Sequence, residues 1–172
     1  MKQQYTQTGG FYEGLAAVEL NGKWGFIDES GREVIPLKYD EVWEFSNGIA
    51  HVMLNDKRGL IDKTGREITP AKYTHIEEFI DGYAIVLLYH KYGFIDKTGT
   101  EISPLKYDNA YRFNEGLALV MYRCKYGFIN ENGDEIIPLK YDDANFFYGG
   151  LAAVKLNGKY GFIDKTGAEI IP

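Results

Sequence analysis

The sequence predicts an all-β protein assembled from five copies of one antiparallel meander, and three observations carry that prediction. A block opening Lys23-Trp24-Gly25-Phe26-Ile27-Asp28 returns at Lys57, Lys91, Lys125 and Lys159, so that Gly25, Gly59, Gly93, Gly127 and Gly161 fall 34 residues apart each time. Each block is preceded by a segment in which Ala16 and Val18 recur unchanged as Ala50/Val52, Ala84/Val86, Ala118/Val120 and Ala152/Val154. A period of two marks a strand with one constrained face. Between the two segments stand Asn21-Gly22 and Asn157-Gly158, the strongest short hairpin signal, because both positions of a type I′ turn need φ > 0. A unit this small cannot bury a core alone, so the units must pack on one another.

Taken in order, the first strand of a meander is 15–20, and the second is 23–28. Asp28-Glu29-Ser30-Gly31 reads as a type I turn closed by a left-handed glycine, and 62–65 and 96–99 repeat its chemistry. A third strand, 33–35, is expected to end at Pro36, which has no N–H to give to a ladder. The turns set a register: Leu20 faces Lys23, Val18 faces Gly25, Ala17 faces Phe26, Phe26 faces Val34 and Ile27 faces Glu33. Ala17, Phe26 and Val34 then share one face, and Ala16, Val18 and Ile27 the other. Both faces are apolar, so the sheet should be covered on both sides. Residues 38–45 fit either a helical turn or a bent fourth strand, and Phe45 recurs as Phe11, Phe79, Phe113 and Phe147, the pattern of a core anchor.

Residues 1–172 read as a single repeat domain with units starting near 11, 45, 79, 113 and 147. Tyr5 aligns with Tyr39, which offers residues 1–10 as the piece that would complete the last unit. The first and last units resemble each other most and the middle ones diverge, whereas an open stack is expected to carry its atypical units at the ends. The expected architecture is therefore a closed five-bladed propeller, with an open β-solenoid as the alternative.

Composition excludes several classes. Hydrophobic residues make up 45% and charged residues 26%, the balance of a globular chain rather than a disordered one. The net charge of -6, with both signs interspersed, disfavours nucleic acid as a partner. No apolar run approaches the roughly 18 residues of a membrane span, and the N-terminus carries no signal-type apolar core; the chain reads as soluble and cytoplasmic, with no membrane partner. The lone Cys124 marks no disulfide framework.

Chemistry-bearing residues are sparse. His51, His75 and His90 occupy different phases of the repeat and match no metal spacing, so neither a metal nor a cofactor is expected. Cys124 beside Arg123 has the cation that would lower a thiol pKa, but its place at a hairpin tip reads as an ordinary turn thiol. Lys23, Asp28, Glu33 and Lys38 recur in nearly every unit and read as turn and inter-unit contacts, since one active site would not be copied five times. No catalytic residue is assigned, and the chain is read as a non-enzyme.

Specificity on a repeated scaffold is carried by what departs from the repeat. Trp43, Glu77, Tyr111 and Asn145 share one variable phase, and Glu44, Glu78, Arg112 and Phe146 the next; the hairpin tips vary through Asn55-Asp56, Tyr89-His90 and Arg123-Cys124. Trp43, His51, Arg58, Tyr89, His90, Tyr111, Arg112 and Arg123 are the candidate binding residues. The expected partner is a protein or peptide, and the alternative a small molecule or glycan.

The motif Gly-Leu-Ala-x-Val-x-x-x-Gly-Lys-Trp-Gly-Phe-Ile-Asp at 14–28, followed by Gly-x-Glu-Val-Ile-Pro and Tyr-Asp at 31–40, resembles the bacterial WG-repeat (KWG) family. Only the first unit has the Trp-Gly pair; Arg58, Tyr92, Tyr126 and Tyr160 replace Trp24. The resemblance implies a β-rich repeat architecture and no assigned catalytic residues.

Overall fold

A computed structural model describes residues 5–171. They contain no helix and build five antiparallel sheets within two compact units, residues 1–75 and 76–172. The first sheet holds β1 (Gln7–Tyr12), β2 (Leu15–Leu20), β3 (Lys23–Asp28) and β4 (Glu33–Tyr39), and the second β5 (Glu41–Val42), β6 (Ile49–Leu54), β7 (Lys57–Asp62) and β8 (Glu67–Tyr73). A third contains β9 (His75–Ile76), β10 (Tyr83–Leu88) and β11 (Lys91–Asp96). The fourth runs β12 (Asn109–Asn114), β13 (Leu117–Tyr122), β14 (Lys125–Asn130) and β15 (Glu135–Tyr141). The fifth closes the series with β16 (Asp143–Ala144), β17 (Leu151–Leu156), β18 (Lys159–Asp164) and β19 (Glu169–Ile171). Strands follow one another in chain order within every sheet, so each repeat is a meander.

The hairpin register agrees with the sequence: Leu20 pairs with Lys23, Val18 with Gly25 and Ala17 with Phe26. Asn21 and Gly22 have φ of 54° and 77°, as a type I′ turn requires. Tyr89-His90 and Arg123-Cys124 hold the same left-handed geometry without a glycine. Such residues are strained there by roughly 1–2 kcal/mol each, so the backbone of the middle repeats is fixed by the surrounding sheet rather than by local preference. Gly31, at φ 83°, returns its N–H to the Asp28 carbonyl at 2.8 Å, closing the second turn. The Asp28 carboxylate caps it by accepting from the Ser30 and Arg32 N–H groups at 3.0 Å.

The later part of the meander departs from expectation in three ways, seen in the first repeat. Phe26 pairs with Ile35, not Val34, because the register shifts between Phe26 and Ile27. Ala17, Phe26 and Ile35 therefore share the core face, and Val34 is the extra residue of a bulge. The third strand does not stop at Pro36 but continues to Tyr39. It lies at a sheet edge, where the missing N–H leaves no partner unsatisfied. Between the pairs Trp24–Tyr39 and Phe26–Ile35, three residues on β4 oppose the single Gly25. Backbone of 35–36 lies over Gly25, and an added Cβ would come within 2.8 Å of the Pro36 carbonyl. That crowding requires glycine here and again at Gly59 and Gly127, where backbone also comes within 3 Å of an added Cβ.

Of residues 38–45, Lys38 and Tyr39 end β4 and Glu41–Val42 form β5, the first strand of the following sheet; the first strands begin at residues 7, 41, 75, 109 and 143, so the sheet boundaries precede the expected unit starts by four residues. Most sheets thus have four strands rather than three. Residues 7–10 belong to β1, which pairs with β2 of the first sheet. Residues 1–4, which the expected completion of the last unit also drew on, lie outside the described residues. In the third repeat the fourth strand is replaced by a loop. There Ser103 stands at the Ile35 position, and its hydroxyl, not a backbone carbonyl, accepts from the Phe94 N–H at 3.0 Å.

Within each compact unit the cores lie between successive sheets. Leu15, Ala17, Phe26, Ile35 and Tyr39 of the first sheet bury against Phe45, Ala50, Val52 and Ile61 of the second repeat. Leu117, Leu119, Phe128 and Ile137 do the same with Phe147, Ala152, Val154 and Ile163. Ala118, Val120 and Ile129, on the opposite side of the fourth sheet, pack with Ile85 and Phe94 of the third. That sheet is therefore covered on both faces, as its apolar pattern requires. Each fully buried Phe or Ile contributes about 1.5–3 kcal/mol, so the sheet-to-sheet joint is the dominant stabilising element.

Candidate functional site

Within residues 76–172 a cleft of about 470 Å³ opens over the first-strand segments of the third, fourth and fifth repeats. Its apolar floor is Ile85, Ala110 and Phe113, and its rim is Glu77, Tyr111, Arg112, Asn114 and Phe146. The β-bulge of β12, between Ala110 and Phe113, sets Tyr111 and Arg112 at the rim. Tyr111 and Phe146 meet edge to face, with ring centroids 5.5 Å apart at 82°. The Tyr111 hydroxyl accepts from the Asn109 amide at 2.9 Å, which fixes the ring. Below it, burial pushes the Tyr126 phenol up, and Tyr111, Asp143 and Cys124 add to the shift.

Charge at the rim is paired but exposed. Arg112 Nε stands 3.4 Å from Glu77 Oε2, with its side chain 55% exposed. An ion pair this open contributes little stability, so both charges remain available to an incoming partner. Phe113 is held from below by Phe94 at 5.1 Å and Tyr83 at 4.8 Å. Asn114 spends its amide N–H on the Phe147 carbonyl at 3.0 Å and ties the rim to the fifth repeat.

A second cluster lies within residues 1–75. Arg58 Cζ sits 4.9 Å from the centroid of the Trp43 ring, and His51 approaches the same ring edge-on at 6.4 Å. The Trp43 N–H donates to the His51 carbonyl at 2.9 Å, which couples the two backbones. Trp43, partly exposed, thus presents an indole already stacked by a cation.

A model of the WG containing repeat matches residues 4–24, 24–57, 59–89, 92–123 and 126–160, nearly the whole chain. The chain belongs to the WG-containing repeat family. No curated protein matches it. Among solved structures it is similar to Hsv2 of Kluyveromyces lactis, at TM-score 0.42 and 8% identity, covering 92% of this chain and 58% of that one. It is similar also to a eukaryotic initiation factor, at TM-score 0.48 and 12% identity, covering 90% and 50%. A third similarity is to the extracellular domain of the putative one component system BT4673 of B. thetaiotaomicron, at TM-score 0.41 and 13% identity, covering 96% and 28%. The chain spans less than two thirds of each of these structures.

The WG repeats bring some of the sequence-predicted residues together and leave others apart. Trp43, His51 and Arg58 form one cluster, and Tyr111 and Arg112 form part of the cleft. Arg58 occupies the position of the WG tryptophan and reaches the variable aromatic of its own repeat. Tyr89 and His90 stand at one hairpin tip and Arg123 at another. The Arg123 guanidinium stacks on Tyr122 at 5.1 Å, and its N–H donates to Asp108 at 2.6 Å. Its role there is a joint contact between repeats. Glu77 and Phe146 belong to the variable phases but not to the predicted set, and the cleft uses both. Phe113 was hidden behind the anchor pattern of Phe45 and Phe147, and Asn114 follows it in a phase that no sequence signal marked. The repeated charges are structural: Lys23 pairs with Asp40 at 2.5 Å, and Lys125 with Asp142 at 2.5 Å. Among the described residues, no group of three or more His, Cys, Asp or Glu is placed to hold a metal.

Proposed function

We propose that this WG-repeat protein is a non-enzymatic binding scaffold whose cleft over repeats 3 to 5 receives a segment of a protein or peptide partner. One observation carries the reading. Four rim residues, Glu77, Tyr111, Arg112 and Phe146, come from two repeat positions that vary from unit to unit, while the floor is centred on Phe113, the anchor that every unit repeats. An apolar floor with an aromatic and arginine rim is the composition of a protein-binding hot spot. The expected segment inserts one apolar side chain above Ile85 and Phe113 and places charges to suit Arg112 and Glu77.

Selection from a random peptide display library, run in parallel on the wild type and on the charge-swapped variant Glu77→Arg/Arg112→Glu, tests the binding reading. Peptides enriched on the wild type should share an apolar anchor beside a charged residue, and the swap should reverse the sign of that charge. Enrichment of the same peptides on both proteins would contradict it. If a glycan array gives ligands that Phe146→Ala abolishes while no peptide is enriched, the cleft is a glycan site instead.

A further inference from the structure

The cleft runs on into a narrow crevice between the third and fourth repeats. The two share the Arg112–Glu77 pair and Phe113, and the crevice ends at Glu78, Ile80 and Tyr83. At about 10 Å³ the crevice has no room for a side chain, so a ligand can only lie across its mouth. Ile80 and Tyr83 are the ends of a tight turn, each donating its N–H to the other's carbonyl at 3.0 Å, and Asp81 stands at the tip.

In two other repeats the same turn carries an acid that is neutralised. Glu13, at φ 52°, accepts from the Gly48 N–H at 3.0 Å and faces Lys63 at 3.9 Å. Glu115, also at 52°, accepts from the Gly149 and Gly150 N–H groups and pairs with Lys165 at 3.0 Å. Asp81 holds the same backbone geometry, at φ 51°, but the position of Lys63 and Lys165 is here Glu131. Burial first, and then the Glu131 charge, pushes the Tyr83 phenol up, which puts that carboxylate beside the turn. Glu78, Asp81 and Glu131 therefore stand around the far end of the crevice. Among the described residues no lysine or arginine pairs with any of the three, and Arg112 is engaged by Glu77.

We propose that the partner segment brings the cation this joint lacks: a lysine or arginine whose stem crosses Ile80 and Tyr83 and whose charge settles among Glu78, Asp81 and Glu131. The proposal rests on the binding reading of the cleft and narrows its ligand to a basic segment, with an apolar anchor in the cleft and a cation close by. This is a second charge, separate from the one that meets the Arg112–Glu77 pair.

The spacing suits a peptide. The Tyr83 and Phe113 rings lie 4.8 Å apart, and side chains two apart on one edge of an extended segment are separated by roughly 7 Å, so neighbouring positions reach both places. A long basic side chain fits better than any other charged one, because its stem covers apolar surface while its head stays in water. Ile80, which is 37% exposed, offers that surface. An acidic side chain in the same place would meet three like charges, so the arrangement also rejects acidic segments.

Glu131→Lys tests the proposal, since it restores the residue found at Lys63, Lys97 and Lys165 and should leave thermal unfolding unchanged. Peptides panned from a random display library on the wild type should carry Lys or Arg within two residues of the apolar anchor. Panning on Glu131→Lys should retain the anchor and lose the basic residue. Calorimetric titration of one wild-type-selected peptide should show binding to Glu131→Lys weakened about fivefold, the upper size for one exposed ion pair. Glu131→Gln should weaken it less, and changing the peptide's basic residue to glutamine should weaken binding to the wild type but not to Glu131→Lys. Peptides that Phe146→Ala releases but that carry no basic residue, or that keep it on Glu131→Lys, would overturn the proposal and leave the cleft reading standing. Enrichment of no peptide at all would overturn both.

Discussion

Two joints of the same design behave differently in the second compact unit. Between the fourth and fifth repeats, Phe147 is buried on Phe128, and the Glu115 carboxylate takes two backbone N–H groups and the Lys165 ammonium. Between the third and fourth, Phe113 sits on Phe94 in the same geometry, but Asp81 stands where Glu115 stands and Glu131 where Lys165 stands. The acid is one methylene shorter and its expected partner has the same sign. The first joint is clamped; the second borders the cleft. The difference suggests how a repeated scaffold acquires a site: the apolar centre is kept, and the polar rim that would close over it is changed.

The largest effect that separates the joints is loss of the anchor ring. Phe147→Ala should destabilise the protein by about 3–5 kcal/mol, the range for a buried Phe. Phe113→Ala, at a partly open position over the cleft, should cost about 1–2 kcal/mol. Urea unfolding of both variants checks the ranking, and equal losses would remove the distinction between the joints.

Next is the glycine under the fourth strand. A Cβ at Gly127 would meet the Ile137 carbonyl at 2.6 Å and the Leu139 nitrogen at 2.9 Å, both backbone. At Gly93, where the third repeat has a loop, the nearest atom is the end of the Leu105 side chain at 2.9 Å, which can turn away. Gly127→Ala should cost about 1–3 kcal/mol and Gly93→Ala less than about 1 kcal/mol, read from the same denaturation midpoints.

The comparison is sharpened by installing the missing clamp. Asp81→Glu with Glu131→Lys should draw the third and fourth repeats together at the rim and weaken any ligand selected on the cleft. It should also lower the Tyr83 phenol pKa, which burial and then the Glu131 charge now hold up. Spectrophotometric titration of the tyrosines reads the shift directly.

Acid gives the smallest and most graded test. The Lys165 hydrogen bond, followed by the Gly150 and Gly149 N–H groups, holds the Glu115 carboxyl below its ordinary value. A depressed carboxylate contributes stability that is fully present above its unfolded pKa, about 4.3, and is lost as pH falls through its folded value. Asp62 behaves alike: its Thr64 hydrogen bond takes it down to about 2, so its contribution disappears between roughly pH 4 and pH 2. Glu115→Gln should flatten the acid limb of the stability curve and leave the rest of its shape unchanged.

Much of this fold was legible because hairpins are local. Asn21-Gly22 and the Asp28-to-Gly31 turn fix their own geometry, and the alternation of Ala16 and Val18 fixes which face is which. The bulge at Val34 was not legible. One extra residue in a strand reverses the facing of everything after it, and no local signal distinguishes Val34 from Ile35 when both are apolar. Pro36 misled for a related reason: its missing N–H is costly in a central strand and free at an edge, and edge status is a property of the sheet. The site was half legible. Variation at the Tyr111 and Arg112 phases pointed to it, but Phe113 carried the anchor pattern, and only packing shows that its ring also floors a cleft.

The central claim is that variable residues over repeats 3 to 5 bind a partner segment. Isothermal titration of one peptide selected on the wild type, against Phe146→Ala and Tyr148→Ala, tests it most directly. Phe146 lines the cleft, whereas Tyr148, two residues away and 90% exposed, does not. Binding should fall at least about tenfold in Phe146→Ala, as for a hot-spot aromatic, and stay unchanged in Tyr148→Ala. Equal affinity for all three proteins would place the binding surface elsewhere.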